Sequence, residues 1–484
     1  MTESDYSKKT IAAGLFWRLL ERVGAQGVHF IVSIVLARML EPEFFGIITL
    51  INVYIAILDV FVDSGLGNAL IQKKDADDLD FSTVFFFNIL VCCFLYLLMF
   101  AAAPALSRFY RMPELTSPIR VISLILIISG IKNVQQAYVS RTMQFKRFFY
   151  ATLGGTIGAA VLGIWMAYAG FGLWALIAQS LFNMTVDTVI LWLTVKWRPK
   201  WMFSFDRLKA LLSYGGKLLA SSLLDTAYNK LRELIIGRMY TPANLAFYEK
   251  GGNFPAVISN NINTSINSVL FPAMSSAQDD PEAVKRMTRR SVMVCSYFMW
   301  PMMMGLSACA EPLVRLVLTE KWLPCVPFLR IFCITYAFYP VHTANLNAIK
   351  AMGRSDIFLK LEILKKIVGM ALLFISMRFG VMVIAYSLLV STFASVLINA
   401  WPNRKMLNYT YGQQIRDIFP AIALSSVMFA AAWSIQSLGR GVLVTLFLQI
   451  LVGAAVYITG SAVFKVKSFE YALEIAKGFL KRRA

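Results

Sequence analysis

The chain has 484 residues, 58% of them hydrophobic and only 15% charged, with a mean hydropathy of +0.63. A soluble domain carries about 25% charged residues, so a globular enzyme on an anchor is excluded and a protein of many membrane spans is expected. The net charge of +20 would suit a polyanion such as nucleic acid, but no basic soluble domain is present to host one.

Fourteen apolar segments run along the chain, at 11–37, 45–70, 82–107, 116–139, 149–169, 173–195, 214–237, 244–275, 291–318, 324–349, 357–377, 380–401, 414–436 and 441–464. Each is near or above the ~20 residues that a spanning helix needs. The fold class expected is therefore an all-α polytopic membrane protein with about 14 transmembrane helices. With the N-terminus in the cytoplasm, the outer loops hold Arg38, Arg108, Arg111, Arg238, Arg315, Lys321, Arg378 and Arg440, and the inner loops hold most of the 47 Lys and Arg. This inward bias explains most of the net charge and puts both termini inside. The polar start, Thr2-Glu3-Ser4-Asp5, and the long first apolar run argue against a cleavable signal peptide.

Segment one is mostly apolar, yet Arg18, Arg22, Gln26, His29 and Ser33 step by three or four residues along it, which places them on one helical face. A charge in the middle of a span costs at least ~2.5–3.5 kcal/mol, so this stripe predicts the wall of a polar cavity. Segment two adds Asn52, Asp59 and Asp63, with a helix break expected at Ser64-Gly65. Segment seven repeats the theme with Ser222, Asp225, Asn229 and Arg232 on one face, and segment eight is rich in asparagine, from Asn253 to Asn267. The glycines of Gly154-Gly155-Thr156-Ile157-Gly158 suit close helix packing rather than a phosphate loop. Aromatics at span ends, Trp197, Trp201, Trp322, Tyr409 and Tyr411, fit interfacial belts. The six cysteines show no metal-ligand spacing. Cys309 and Cys325 could approach each other near the outer face, or simply be buried thiols.

The run Ala37-Arg38-Met39, three residues before Pro42, recurs two hundred residues later as Gly237-Arg238-Met239 before Pro242. Six spans separate the copies, so they share one orientation and predict a parallel repeat. The parse is an N-lobe of helices 1–6 at 1–205 and a C-lobe of helices 7–12 at 206–409. Helices 13–14 follow at 410–464, and a basic cytoplasmic tail closes the chain at 465–484. The short stretch 206–213 and the tail read as amphipathic helices that touch membrane lipid headgroups.

The embedded basic residues Arg18, Arg22, Lys132, Lys230, Arg232 and Lys250, with Gln26 and Asn229 beside them, could make a cavity attractive to an anion, since guanidinium forks suit phosphate oxygens. The alternative is internal pairing, with Glu21 neutralising Arg18 or Arg22 and Glu233 neutralising Lys230 or Arg232. Asp59, Asp63 and Asp225 are candidates for coupling to H+ or Na+, because a carboxylate in low dielectric can titrate. No metal site and no bound cofactor are expected. A membrane glycan ligase or polymerase would show a larger extramembrane domain, so transport within the membrane is the function class expected.

Several motifs resemble those of bacterial polysaccharide flippases. They are Leu36-Ala37-Arg38 with Pro42 and Phe45-Gly46, the run Asp63-Ser64-Gly65-Leu66-Gly67-Asn68, Phe171-Gly172-Leu173-Trp174, Leu270-Phe271-Pro272-Ala273 and Glu320-Lys321-Trp322. The chain is most similar to the colanic acid exporter branch of the polysaccharide transporters, in the multidrug/oligosaccharidyl-lipid/polysaccharide superfamily. The resemblance implies two pseudo-symmetric six-helix lobes in a V shape, plus two C-terminal helices, working by alternating access in the bacterial inner membrane. The cargo implied is a polyprenyl-pyrophosphate-linked oligosaccharide, with polymerase and export machinery as candidate partners. An ion-coupled drug or metabolite antiporter of the same superfamily is the alternative, but it would have an acidic cavity rather than paired arginines. A sodium site on helices seven and eleven, known in a related flippase, finds Asp225 here but mainly Lys365 and Lys366 on helix eleven.

Overall fold

The computed structural model describes residues 8–63 and 65–470; the side chains of residues 8–16, 18, 19, 22, 23, 63 and 214 lie outside that description. Among the described residues the chain is helical with no strand. Its contacts divide it into two compact units, 1–246 and 247–484.

The first unit holds α1 (Lys8–Met39), α2 (Pro42–Asp63), α3 (Leu66–Gln72), α4 (Asp78–Tyr110), α5 (Thr116–Ile122), α6 (Leu124–Arg141), α7 (Lys146–Tyr168), α8 (Leu173–Thr194) and α9 (Phe205–Met239). The second holds nearly all of α10 (Pro242–Ser275), then α11 (Pro281–Ala308), α12 (Ala310–Val317), α13 (Val326–Ala337), α14 (Tyr339–Ala351), α15 (Ser355–Ser376), α16 (Val381–Met406), α17 (Tyr411–Ser434) and α18 (Val442–Val463). All fourteen predicted segments are helical. Ten helical stretches are long and apolar enough to cross a membrane. Helices α9, α10 and α15 lie outside that set because polar residues interrupt their apolar runs, and in α1 the apolar stretch Gly24–Met39 is shorter than a span.

Sequence chemistry sets the boundaries. Gly65 is a turn residue and α3 opens at Leu66, while Ser64, the other residue of the expected break, lies outside the described residues. Asp77 caps α4 by accepting from the Asp80 amide at 3.0 Å, and Asp80 returns the bond to the Asp77 amide, a reciprocal capping box. The Asp80 amide, ahead of Arg207 and Lys73, holds the Asp77 carboxyl below its usual range. Arg141, at the end of α6, donates to the carbonyls of Leu70, Lys73 and Lys74, satisfying acceptors that the end of α3 leaves without an intrahelical partner.

In the first unit α7 packs against α8 and α1, and α4 against α6. The glycine-rich run of α7 lies in the α8 contact, where Gly155 backs onto Asn183. Helix α9 is one continuous helix that packs on α2, α3 and α4. The stretch 206–213 is therefore not a separate surface helix. Leu208 and Leu211 are buried with Leu66, Phe81, Val134 and Trp197, and burial of an apolar side chain outweighs a seat at the headgroups. Continuity past Gly215 comes with a backbone contact: a Cβ on Gly215 would lie 2.7 Å from the Gly65 carbonyl. The aromatic belt also needs correction. Trp197, Trp322 and Tyr409 are buried, and Trp322 and Tyr409 are fully so, whereas Trp201 is 96% exposed. Each buried ring has a local partner, such as the Asp78 carboxylate that accepts from Trp197 Nε1 at 3.2 Å. All six cysteines are free thiols, Cys309 and Cys325 both buried.

The two copies of the repeated motif make the same local structure. Helices α1 and α9 end at Met39 and Met239, and α2 and α10 begin at Pro42 and Pro242, each proline sitting at a first helical position where its missing N–H costs nothing. Gly46 lies directly on the second junction: a Cβ there would overlap the Pro242 carbonyl. Backbone cannot rotate away as a side chain can, so Gly46→Ala should destabilise the protein by about 1–3 kcal/mol. Gly216→Ala meets nothing within 4 Å and should be neutral. Thermal unfolding in detergent compares the two, and equal midpoints would show that the contact is absent.

Candidate functional site

Exposed polar residues are not spread evenly over the helices. On α4 the exposed positions include Leu90, Phe94, Leu97 and Leu98; on α18 they include Leu443, Phe447, Ile450 and Leu451. Such faces suit acyl chains. On α1 the exposed positions include Gln26 and His29, on α9 Ser221, Asp225 and Asn229, and on α10 Asn253, Asn260, Asn261 and Thr264. Amides and carboxylates facing hydrocarbon are costly, so these three faces require water or a polar ligand.

The candidate cations divide by partner. Arg18 and Arg22 fall on the helical backbone of α1, but their side chains lie outside the described residues. Near them, Glu21 accepts from Thr152 of α7 at 3.4 Å. Lys132 of α6 pairs with Asp187 of α8 at 2.6 Å, each side chain 11% exposed. Lys230 donates to both carboxylate oxygens of Glu233 at 2.9 Å, the pairing that the sequence left open. Lys250 is buried with its ammonium 5.6 Å from the centre of the Trp322 ring, a cation–π contact. Arg232 differs from these. It is 7% exposed, and among the described residues its Nε and Nη2 have no hydrogen-bond acceptor. A buried guanidinium left this way costs several kcal/mol.

Of the coupling candidates, Asp59 of α2 accepts from Ser129 of α6 at 2.8 Å, and Asp225 is exposed on α9. The Asp63 side chain lies outside the described residues. The asparagines of α10 serve two purposes. Asn263 accepts from Thr343 at 2.9 Å and Asn267 from Asn347 at 2.7 Å, which ties α10 to α14, while Asn253 and Asn260 stay exposed. A buried amide cluster was missed in the sequence. Asn403 donates to Asn345 at 2.7 Å, and Asn345 to Gln414 at 3.0 Å, joining α14, α16 and α17. Its only signal was single amides in apolar runs, which periodicity does not connect.

The buried pair is testable by a double-mutant cycle. Lys132→Met leaves Asp187 without its cation and should cost about 3–5 kcal/mol, while Lys132→Met with Asp187→Leu should recover most of it. Additive losses would mean that the two groups do not interact.

The model of the polysaccharide biosynthesis protein family matches residues 35–327. The succinoglycan biosynthesis transport protein ExoT of Rhizobium meliloti (strain 1021) is 23% identical over 72% of this chain and 71% of its own length. The lipopolysaccharide biosynthesis protein WzxC of Escherichia coli (strain K12) is 26% identical over 74% of this chain and 73% of its own. Among solved structures, the lipid II flippase MurJ in an inward closed conformation matches with a TM-score of 0.72 at 14% identity, covering 95% of this chain and 99% of that one. An inward-facing multidrug resistance MATE family transporter of the MOP superfamily matches at 0.60 and 14% identity, over 81% of this chain and 98% of that one. At those identities the likeness is one of fold. With its family model spanning more than half of its length, the chain belongs to the polysaccharide biosynthesis protein family.

Proposed function

We propose that this protein is a flippase that carries polyprenyl-pyrophosphate-linked oligosaccharide units across the bacterial inner membrane for surface polysaccharide synthesis. The observation that carries the reading is the run of exposed amides and acids on α1, α9 and α10, among them Gln26, Asp225, Asn229, Asn253, Asn260 and Asn261, where α4 and α18 expose mostly large apolar side chains. A drug-sized apolar cation would not need amide-rich walls or a buried arginine lacking an acceptor. A glycan joined to pyrophosphate uses both, with hydroxyls for the amides and phosphate oxygens for guanidinium. The relatives named for succinoglycan transport and lipopolysaccharide biosynthesis support the same class of cargo.

In this reading fourteen helices form two six-helix lobes plus two C-terminal helices, with both termini cytoplasmic, and alternating access moves the cargo. Arg18, Arg22 and Arg232 contact the pyrophosphate, and Gln26 and Asn229 contact sugar. Lys132 and Lys230 hold their helices through Asp187 and Glu233, while Lys250 supports α10 against Trp322. Asp59, Asp63 and Asp225 link transport to H+ or Na+. The polymerase that consumes the flipped unit is the partner expected on the outer face.

In a strain stalled at lipid-linked precursors, Arg18→Ala, Arg22→Ala and Arg232→Ala should each lower surface polymer by about tenfold or more, the loss of one charged hydrogen bond. Protein abundance should be normal and precursors should accumulate on the cytoplasmic face. Normal export by all three variants would refute the anion site. In proteoliposomes, flipping that ignores both proton and sodium gradients would remove the role given to the three aspartates.

A further inference from the structure

A second cationic site lies in the second unit, away from the exposed polar face of α10. A cavity of about 970 Å³ opens between α11, α17 and the chain that follows α18, large enough for a headgroup and the first acyl carbons. Its rim carries Arg286, Arg289, Arg416, Lys465 and Lys467, and its walls include Phe419, Leu424, Val427 and Phe464.

One acid, Asp417, lines the same cavity, and its charge is already matched. Arg289 donates to both of its oxygens, at 2.7 and 2.8 Å, and Tyr409 donates a third bond at 2.9 Å. That pair fastens α11 to α17. The nearest acid to Arg286 is Asp280 at 3.8 Å, both side chains well exposed, a separation worth little in water. Arg416, Lys465 and Lys467 are exposed on the rim. Below them Phe419, Val427 and Phe464 are 61%, 59% and 75% exposed. The groove is thus cationic at the mouth and apolar below, the polarity profile of an anionic lipid.

The rim is built rather than frayed. Lys465 takes a left-handed backbone with φ of 47°, which costs roughly 1–2 kcal/mol for a residue with a Cβ. That turn brings Val466 and Phe469 onto the buried cluster of Tyr297, Leu424, Met428 and Tyr457. Tyr297 donates to Ser461 at 2.8 Å, and Tyr457 to the Tyr297 carbonyl at 2.7 Å, fixing the wall. The segment 471–484 is a poor occupant on charge alone, since it adds Lys477, Lys481, Arg482 and Arg483.

We propose that this groove holds an anionic glycerophospholipid. Its phosphate sits among Arg286, Arg416, Lys465 and Lys467, and its acyl chain lies along Phe419, Val427 and Phe464. In the topology proposed above the lipid belongs to the cytoplasmic leaflet, whose surface potential favours basic rims.

The full-length protein, released from nanodiscs of equal phosphatidylglycerol and phosphatidylcholine, can be weighed with its bound lipids by native mass spectrometry. The unaltered protein should retain phosphatidylglycerol preferentially. Arg416→Gln with Lys465→Gln and Lys467→Gln should cut that preference by at least about tenfold. The charge-matched control Lys74→Gln with Arg404→Gln and Lys405→Gln should keep it. Equal retention of the two lipids, an undiminished preference in the triple variant or an equal loss in the control would each overturn the assignment. So would stronger retention of undecaprenyl phosphate, which would give the groove to cargo. If the triple variant does not fold, Arg416→Gln and Lys467→Gln singly should each weaken the preference about threefold. The readout is lipid retention rather than transport, so it can fail while the flippase reading stands.

Discussion

A polar side chain on a helix in the bilayer must meet either a partner or water, because hydrocarbon offers it nothing. That constraint sorts this molecule. Lys132 meets Asp187, and Asn345 meets Asn403 and Gln414. These groups hold helices together and are finished as chemistry. Exposed amides recur on α1, α9 and α10, and the proposed function gives those of α1 and α9 a binding task. Arg232 stands between the two classes, buried like a structural residue yet lacking an acceptor among the described residues.

The same sorting explains why α9 and α10 fall outside the ten stretches apolar enough to cross a membrane on composition alone. A helix that lines a hydrated path gives up apolar residues on one face. Its mean hydropathy then understates its depth, and in the proposed function this is the case for α9 and α10.

Much of this was legible in the sequence because membrane physics leaves strong period signals. Each of the fourteen apolar segments falls on helix, although α9 begins nine residues earlier than its apolar run, at Phe205. Gln26, His29, Asp225 and Asn229 of the predicted polar faces are exposed, whereas Arg232, placed on the same face as Asp225, is buried. What stayed hidden depended on which residues meet across helices. Lys132 and Asp187 lie on different helices, so nothing local says that they pair. Trp197 and Trp322 occupy span ends, where a belt and a core anchor look alike until a neighbour such as Asp78 or Lys250 is placed beside them. The stretch 206–213 had the composition of a surface helix, and only the contact with Leu66 and Phe81 shows it to be core. The cationic groove escaped notice because Arg286, Arg416 and Lys465 come from three distant parts of the chain.

The continuity of α9 also bears on how the protein is made. The repeat suggests a first copy that ends near residue 205, and a chain emerging from the ribosome reaches that point with six helical segments complete. Yet the core around Phe81 and Trp197 still lacks Leu208 and Leu211, and the Gly65 turn still lacks Gly215. The first copy therefore cannot close on itself during synthesis. It has to wait, with one apolar flank open to lipid, until the opening helix of the second copy is inserted and laid across it, so the two halves are committed to each other before the second is fully translated.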